Sequence, residues 1–302
     1  MAAGCTIGVD LGGTKLLAGV LSPSGEVLLR VRRPVGGLDR EALLMTIEAA
    51  VTEAVAAAGT DITAAGFGVP SLLDHRTGHS IRSNHLPLDD FPIAEHLRAW
   101  LGLPVVVDND GNCAALGETG PGGAAAGARD AVVLTLGTGI GGGLVLGGRM
   151  YRGAHGAGAE LGHMVVDADG PPCFGDCPGR GCLEAFASGS ALQRDARAQG
   201  IDSGPEVTRR AEAGDPVAVE LLETLGRRLG AGLAGLAMIF DPEIIVVGGG
   251  VMNAGERVLG PARRELRRRA MAPMRDVAVV AAGLGEEAGM IGAALMASQE
   301  AV

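Results

Sequence analysis

Short apolar runs open the chain: Ile7 to Asp10, Leu16 to Leu21 and Glu26 to Arg33, separated by Leu11-Gly12-Gly13-Thr14 and by Ser22-Pro23-Ser24-Gly25. Strand-length runs between glycine turns predict a three-strand meander. From Asp39 the period changes. Leu43, Ile47, Val51 and Val55 fall at four-residue spacing, which predicts a helix capped by Asp39 and stopped at Gly59. Ala64 to Val69 and Val105 to Asp108 then read as strands, and Ile93 to Leu101 and Asn112 to Glu118 as helices. Strands alternating with helices imply an α/β architecture.

The pattern restarts at Val132 to Leu136, an apolar strand that runs into Gly137-Thr138-Gly139 and on to Leu144-Val145-Leu146. A strand, a Gly-Thr turn and a second strand therefore occur twice, as in two related units in tandem. Asp215 with Pro216 starts a long helix striped by Leu222, Leu225, Leu229, Leu233 and Leu236. Ile244 to Val247 is a strand ending at Gly248-Gly249-Gly250, and a helix from about Glu286 to Ser298 closes the pattern. A chain of 302 residues is long enough for two cores. We expect one lobe over residues 1–112, joined by the helix of 286–302, and a larger lobe over 113–285.

Composition changes the picture in three ways. Aromatic residues are 2% of the chain and glycines number 51, so the cores are built from Ala, Val, Leu and Ile. The formal charge of −10 repels phosphate backbones and anionic lipid, which argues against nucleic acid and membrane partners. The basic cluster Arg263, Arg264, Arg267, Arg268 and Arg269 reads as a solvated helix face near a C-terminus. Met1 to Thr6 leads straight into the first strand without a signal-peptide pattern, so a cytoplasmic protein is expected. Ala131 to Gly148 is uncharged but too rich in glycine for a membrane span.

Several segments carry chemistry. Asp10-Leu11-Gly12-Gly13-Thr14-Lys15 sets a carboxylate at a strand end before a turn whose bare backbone N–H groups can hold phosphate oxygens, and Gly137-Thr138-Gly139 repeats that turn. Lys15 is the lone lysine, a compact ammonium in a chain that otherwise uses arginine. Cys173, Cys177 and Cys182 with His163 offer three thiolates and an imidazole, a closed tetrahedral set for structural Zn²⁺. Cys5 and Cys113 fall in strand and helix patterns as small core residues.

The segments Asp-x-Gly-Gly-Thr-Lys, Leu-Gly-Thr-Gly-x-Gly-Gly-Gly and Val-Gly-Gly-Gly-Val resemble the two phosphate motifs and the adenosine motif of the actin/hexokinase-like superfamily. Within it the chain resembles the ROK family, from Asp10 to about Gly250. The resemblance implies a two-lobed actin/hexokinase-like (ribonuclease H-like) α/β fold with the active site in the cleft between lobes. It implies ATP with Mg²⁺ held by Asp10, Gly12, Gly13, Thr14, Lys15, Gly137, Thr138, Gly139, Gly248 and Gly249, and a hexose bound by Asn84, Asn109, Asp110, Glu160, His163 and Glu184. Asp110 takes the place of the catalytic base, which phosphoryl transfer needs to accept the attacking hydroxyl's proton. A homodimer or homotetramer is expected.

Three departures stand out. His85 interrupts the usual Asn-Leu-Pro at Asn84. Gly68-Val69-Pro70-Ser71 replaces the usual Gly-x-Pro-Gly, and Cys173-Phe174-Gly175-Asp176-Cys177 is longer by two residues than the usual Cys-x-Cys. The reading favours phosphorylation of the 6-hydroxyl of glucose. Fructose, allose or an N-acetylhexosamine as acceptor and polyphosphate as donor stay open. A sugar-responsive repressor of the same family is the alternative from another class; those carry a DNA-binding domain in front, which is not expected here because the first phosphate motif starts at Asp10 and the charge is acidic.

Overall fold

The computed structural model describes residues 4–83 and 86–300. The expected meander is β1 (Cys5–Leu11), β2 (Lys15–Leu21) and β3 (Val27–Pro34), paired antiparallel. Asp39 caps α1 (Arg40–Ala58) through its side chain, and Gly59 ends it in the left-handed conformation. There follow β4 (Ile62–Val69), the hairpin β5 (Ser71–Asp74) and β6 (His79–Ser83), α2 (Ile93–Leu101), β7 (Val105–Asn109) and α3 (Asp110–Thr119). The second half holds β8 (Ala131–Leu136), β9 (Ile140–Leu146), β10 (Arg149–Met150), α4 (Glu184–Ala187), α5 (Gly189–Ala198), α6 (Gly204–Glu212) and α7 (Pro216–Phe240). It ends with β11 (Ile244–Gly248), α8 (Glu256–Arg269), β12 (Ala278–Ala281) and α9 (Ala288–Glu300).

Two sheets result, in the orders β3-β2-β1-β4-β7 and β10-β9-β8-β11-β12. In each, a glycine turn joins an antiparallel pair whose first strand runs parallel to the next strands inward, so the tandem repeat seen in the sequence is a repeat of topology. One face of the first sheet packs Ile7, Val9 and Leu11 against α1 and α2. One face of the second packs Val132, Leu134 and Leu136 against α7 and α8.

The inner faces meet through α9 and α3. Helix α9 lies on β1, β4 and β2, α3 lies on β8 and β9, and the two helices pack on each other. Small residues make this close stacking possible: a Cβ at Gly66 would run into the Ala293 carbonyl, and one at Gly292 into the Cys113 carbonyl. Helix α3 thus bridges the two halves, and residue 112 lies in its first turn. Cys5 and Cys113 are buried, as their strand and helix positions suggest. The uncharged stretch 131–148 is the β8–β9 hairpin and its exit turn, and among the described residues no helix is long and apolar enough to cross a membrane. The arginine cluster lies on α8, where Arg263 pairs with Glu256 and both Arg268 and Arg269 with Glu265.

Candidate active site

Parallel strands β1, β4 and β7 all end at one edge of the first sheet, so Asp10, Pro70 and Asn109 emerge together there. Asn109 caps α3: its Oδ1 accepts from the backbone N–H groups of Gly111 at 2.8 Å and Asn112 at 3.4 Å. Its Nδ2 faces the Ser71 carbonyl at 3.5 Å and is the part of the amide left to donate to a ligand. Asp110 is the first residue of α3, where the positive end of the helix dipole favours a carboxylate.

Asp10 is pushed up to about 7, chiefly by burial and then by the neighbouring Asp110 carboxylate, with Lys15 opposing. Gly289 at the start of α9 makes room for it, since a Cβ there would sit 2.6 Å from Asp10 Cγ. A buried carboxylate crowded by a second one is a fitting donor set for a hard divalent cation such as Mg²⁺. Lys15 itself is half-exposed and pairs with Glu286 at 2.6 Å.

The first glycine turn is closed by the Gly12 N–H donating to the Lys15 carbonyl at 2.8 Å. The second is closed by the Gly137 N–H donating to the Gly139 carbonyl at 3.0 Å. The carbonyls of Gly137 and Thr138 accept the N–H groups of Gly189 and Ser190 at the head of α5, so this turn is braced from below. Gly248 pairs alongside Thr135, and Gly249 adopts φ 89° against Leu136, which lays the late glycine motif beside the second turn.

The acidic residues converge on the start of β9. A Cβ at Gly111 would sit 2.5 Å from the Gly142 carbonyl oxygen, and one at Gly162 would run into that of Ile140, so the Asp110 helix and the Glu160-Leu161-Gly162-His163 turn flank the same short segment. Glu184 Oε2 accepts the Ile140 N–H at 2.7 Å. Ala159, a non-glycine residue at φ 68°, holds the left-handed conformation immediately before Glu160, a strained position of the kind that clusters at functional sites. Burial above all, and the nearby Glu184, raise the Glu160 carboxyl, while His163 lowers it. Asn84 lies outside the described residues.

His163 faces two ways. Its Nδ1 lies 3.5 Å from Cys173 Sγ and its Nε2 4.0 Å from Glu160 Oε2. The ligand atoms of His163, Cys173, Cys177 and Cys182 all lie within 4.8 Å of one another. Tetrahedral Zn–S bonds of about 2.3 Å put sulfurs somewhat under 4 Å apart, so the four fit one ion with little movement. Gly179 suits the site doubly: its N–H donates to Cys177 Sγ at 3.4 Å, and a Cβ there would press on the sulfurs of Cys177 and Cys182.

Residues 6–300 match the ROK family. The chain belongs to the ROK family. It is 38% identical to a glucokinase of Streptomyces coelicolor, an alignment that covers 98% of each chain. It resembles the ROK family glucokinase of Streptomyces griseus, solved in complex with glucose and AMPPNP, with TM-score 0.86 and 39% identity over 98% of this chain and 100% of that one. The ROK hexokinase of Thermus thermophilus matches with TM-score 0.83 and 41% identity over 98% of both chains. The fold of this ROK protein is accordingly the actin/hexokinase-like α/β fold.

Two residues escaped the sequence reading. Asp108 is almost fully buried, and Arg152 reaches it from the loop after β10, Nε to Oδ2 at 2.5 Å. Arg152 stands 44 residues from its partner and in no motif, so only the fold reveals the pair.

Proposed function

We propose that this ROK protein is an ATP-dependent glucokinase that transfers the γ-phosphoryl group of ATP to the 6-hydroxyl of glucose. The observation that carries the reading is the convergence of the Asn109-Asp110 helix start, the Glu160 to His163 turn and Glu184 on Ile140 to Gly142, directly beyond the second glycine turn. Full-length likeness to the Streptomyces glucokinases supports the same substrate.

In this reading Asn109, Glu160, His163 and Glu184 hold the sugar hydroxyls, with carboxylates accepting from vicinal O–H groups. Asp110 accepts the 6-hydroxyl proton as the O6–Pγ bond forms and the bond from Pγ to the β-phosphate oxygen breaks, the electron pair leaving with ADP. Gly12 to Lys15 and Gly137 to Gly139 surround the phosphates, and Gly248 and Gly249 border the nucleoside. Asp10 would hold the Mg²⁺ that accompanies ATP, which would supply charge neutralisation on the phosphates. Zn²⁺ on His163, Cys173, Cys177 and Cys182 would be structural, fixing the imidazole so that Nε2 points away from the metal toward the sugar. The lobes proposed as 1–112 with 286–302 and 113–285 would meet at α3.

A coupled assay over glucose, fructose, allose, N-acetylmannosamine and N-acetylglucosamine, each with ATP or polyphosphate, tests the proposal. Glucose with ATP should have the highest kcat/KM. A tenfold preference for another pair, or no turnover with any, would overturn it.

A further inference from the structure

We propose that Arg152 is a positioning residue that locks together the two halves of the sugar site. The proposal rests on the glucokinase reading and extends it to a residue outside the proposed sugar and nucleotide ligands.

The Arg152 guanidinium joins three segments. Its Nε donates to Asp108 Oδ2 at 2.5 Å, at the end of β7, and its Nη2 donates to Glu300 Oε1 at 2.7 Å, at the end of α9. The other Asp108 oxygen, Oδ1, accepts the Asn109 N–H at 2.7 Å and the Asn112 side-chain amide at 2.9 Å. Asp108 therefore clamps the strand-to-helix junction that presents Asn109 and Asp110, and Arg152 clamps Asp108.

The backbone of Arg152 does equivalent work on the other side. Its carbonyl accepts the Gly158 N–H at 2.9 Å, closing the turn that leads to Glu160 and His163. One residue thus ties the first-sheet part of the site to the second-sheet part by a side-chain bond at one end and a backbone bond at the other. The pair is well shielded, with side-chain exposures of 18% for Arg152 and 4% for Asp108. Removing one member of such a pair strands the other's charge, so the junction is expected to shift. A shift of about 1 Å at a reacting group costs about 10²-fold in rate.

The test compares Arg152→Met, Arg152→Lys, and Arg152→Met combined with Asp108→Asn against wild type, by steady-state kinetics and by amide hydrogen exchange. Arg152→Met should lower kcat/KM for glucose by roughly 10- to 100-fold while KM for MgATP stays within about twofold. Exchange should quicken at residues 109–113 and 158–163 and stay unchanged at 12–15 and 137–139. Arg152→Lys, which offers one ammonium to two carboxylates, should recover part of the loss, and the double variant should be no worse than Arg152→Met because the two residues act as a unit. Should Arg152→Met fail to fold, Arg152→Lys carries the same comparison. Unchanged glucose kinetics, or losses spread evenly over both substrates with protection falling everywhere, would overturn the proposal. If wild type phosphorylates no hexose, the glucokinase reading fails, and the exchange pattern still decides the role of Arg152: selective quickening upholds it and an unchanged pattern refutes it.

Discussion

Glu184 Oε2 accepts the Ile140 N–H at 2.7 Å, while its Oε1 lies 3.9 Å from Cys173 Sγ. One carboxylate therefore touches the end of the second glycine turn and the cysteine cluster together. Gly139 makes this possible, because a Cβ there would collide with Glu184 Oε2. Gly139→Ala should push the carboxylate aside, and Glu184→Gln should weaken its bond to Ile140. A hydrogen bond to a charged group is worth about 1.5–3 kcal/mol, so each variant should raise KM for both glucose and MgATP by roughly tenfold or more. Steady-state kinetics with each substrate varied in turn check this, and an effect on glucose alone would refute the coupling.

Asp110→Asn keeps the shape of the helix start and removes the base. Turnover should fall by about 10²–10⁴ while glucose affinity, measured by calorimetry, changes little. Retention of more than a tenth of wild-type turnover would rule out the role.

Much of this was readable from residue order. Periodicity located β1 to β4, α1, α2 and α7, and the caps Asp39 and Asp215 act where side-chain chemistry places them, whereas the capping role of Asn109 emerged only from the fold. The hairpin β5–β6 was not foreseen, since Ser71-Leu72-Leu73-Asp74 is too short to show a period and its partner strand mixes polar and apolar residues. Helices α5 and α6 also went unread, being short and polar on most of their surface. Motifs picked out the proposed site residues individually. What they could not show was contact at long range: Arg152 on Asp108, Glu184 on Ile140 and Lys15 on Glu286 each depend on two distant segments meeting.

One zinc per chain is expected on His163, Cys173, Cys177 and Cys182. Burial and the adjacent Cys182 and Cys177 raise the Cys173 thiol in the bare chain, so a cation is what would let the thiolates share this space. Elemental analysis should find about one equivalent, and removal by chelation should lower the thermal midpoint well before it alters the chemistry of any remaining folded enzyme. A metal-free preparation of equal stability would refute the site.

Asp10 should make stability fall with rising pH. Its folded value of about 7 lies above the ordinary 3.8, so between those values the folded state keeps a proton that the unfolded state has released. Folded protein binds more protons there, and stability declines as pH rises through the window. Urea titrations at intervals from pH 5 to 8 should show Asp10→Asn gaining on wild type up to about pH 7 and then holding a constant lead. A pH-independent difference would contradict the shift.

Arg82 on β6 and Asp176 between Cys173 and Cys177 form an ion pair at 2.6 Å, and Asp176 belongs to the loop lengthened by two residues relative to the usual Cys-x-Cys. Through Asp176 the cysteine loop contacts β6, which ends at Ser83, the residue before Asn84 in sequence. Both side chains are about two-thirds exposed, at 60% and 66%, so the pair contributes at most about 1 kcal/mol and does little for global stability. Its place matters more than its strength, since it links a strand that follows β5 to the loop holding His163's neighbours. If the sugar enters between these segments, closing them makes the pair and opening them breaks it. Exposed charges are screened over about 8 Å at physiological ionic strength, so KM for glucose should rise a few-fold between roughly 50 and 500 mM NaCl. Asp176→Asn should raise KM modestly at low salt and abolish the salt dependence, and the reversed pair Arg82→Asp with Asp176→Arg should restore it. Thermal midpoints of all three proteins should agree within the small value of a surface pair. A salt dependence that survives in Asp176→Asn would place its origin elsewhere and remove the pair from any part in sugar binding.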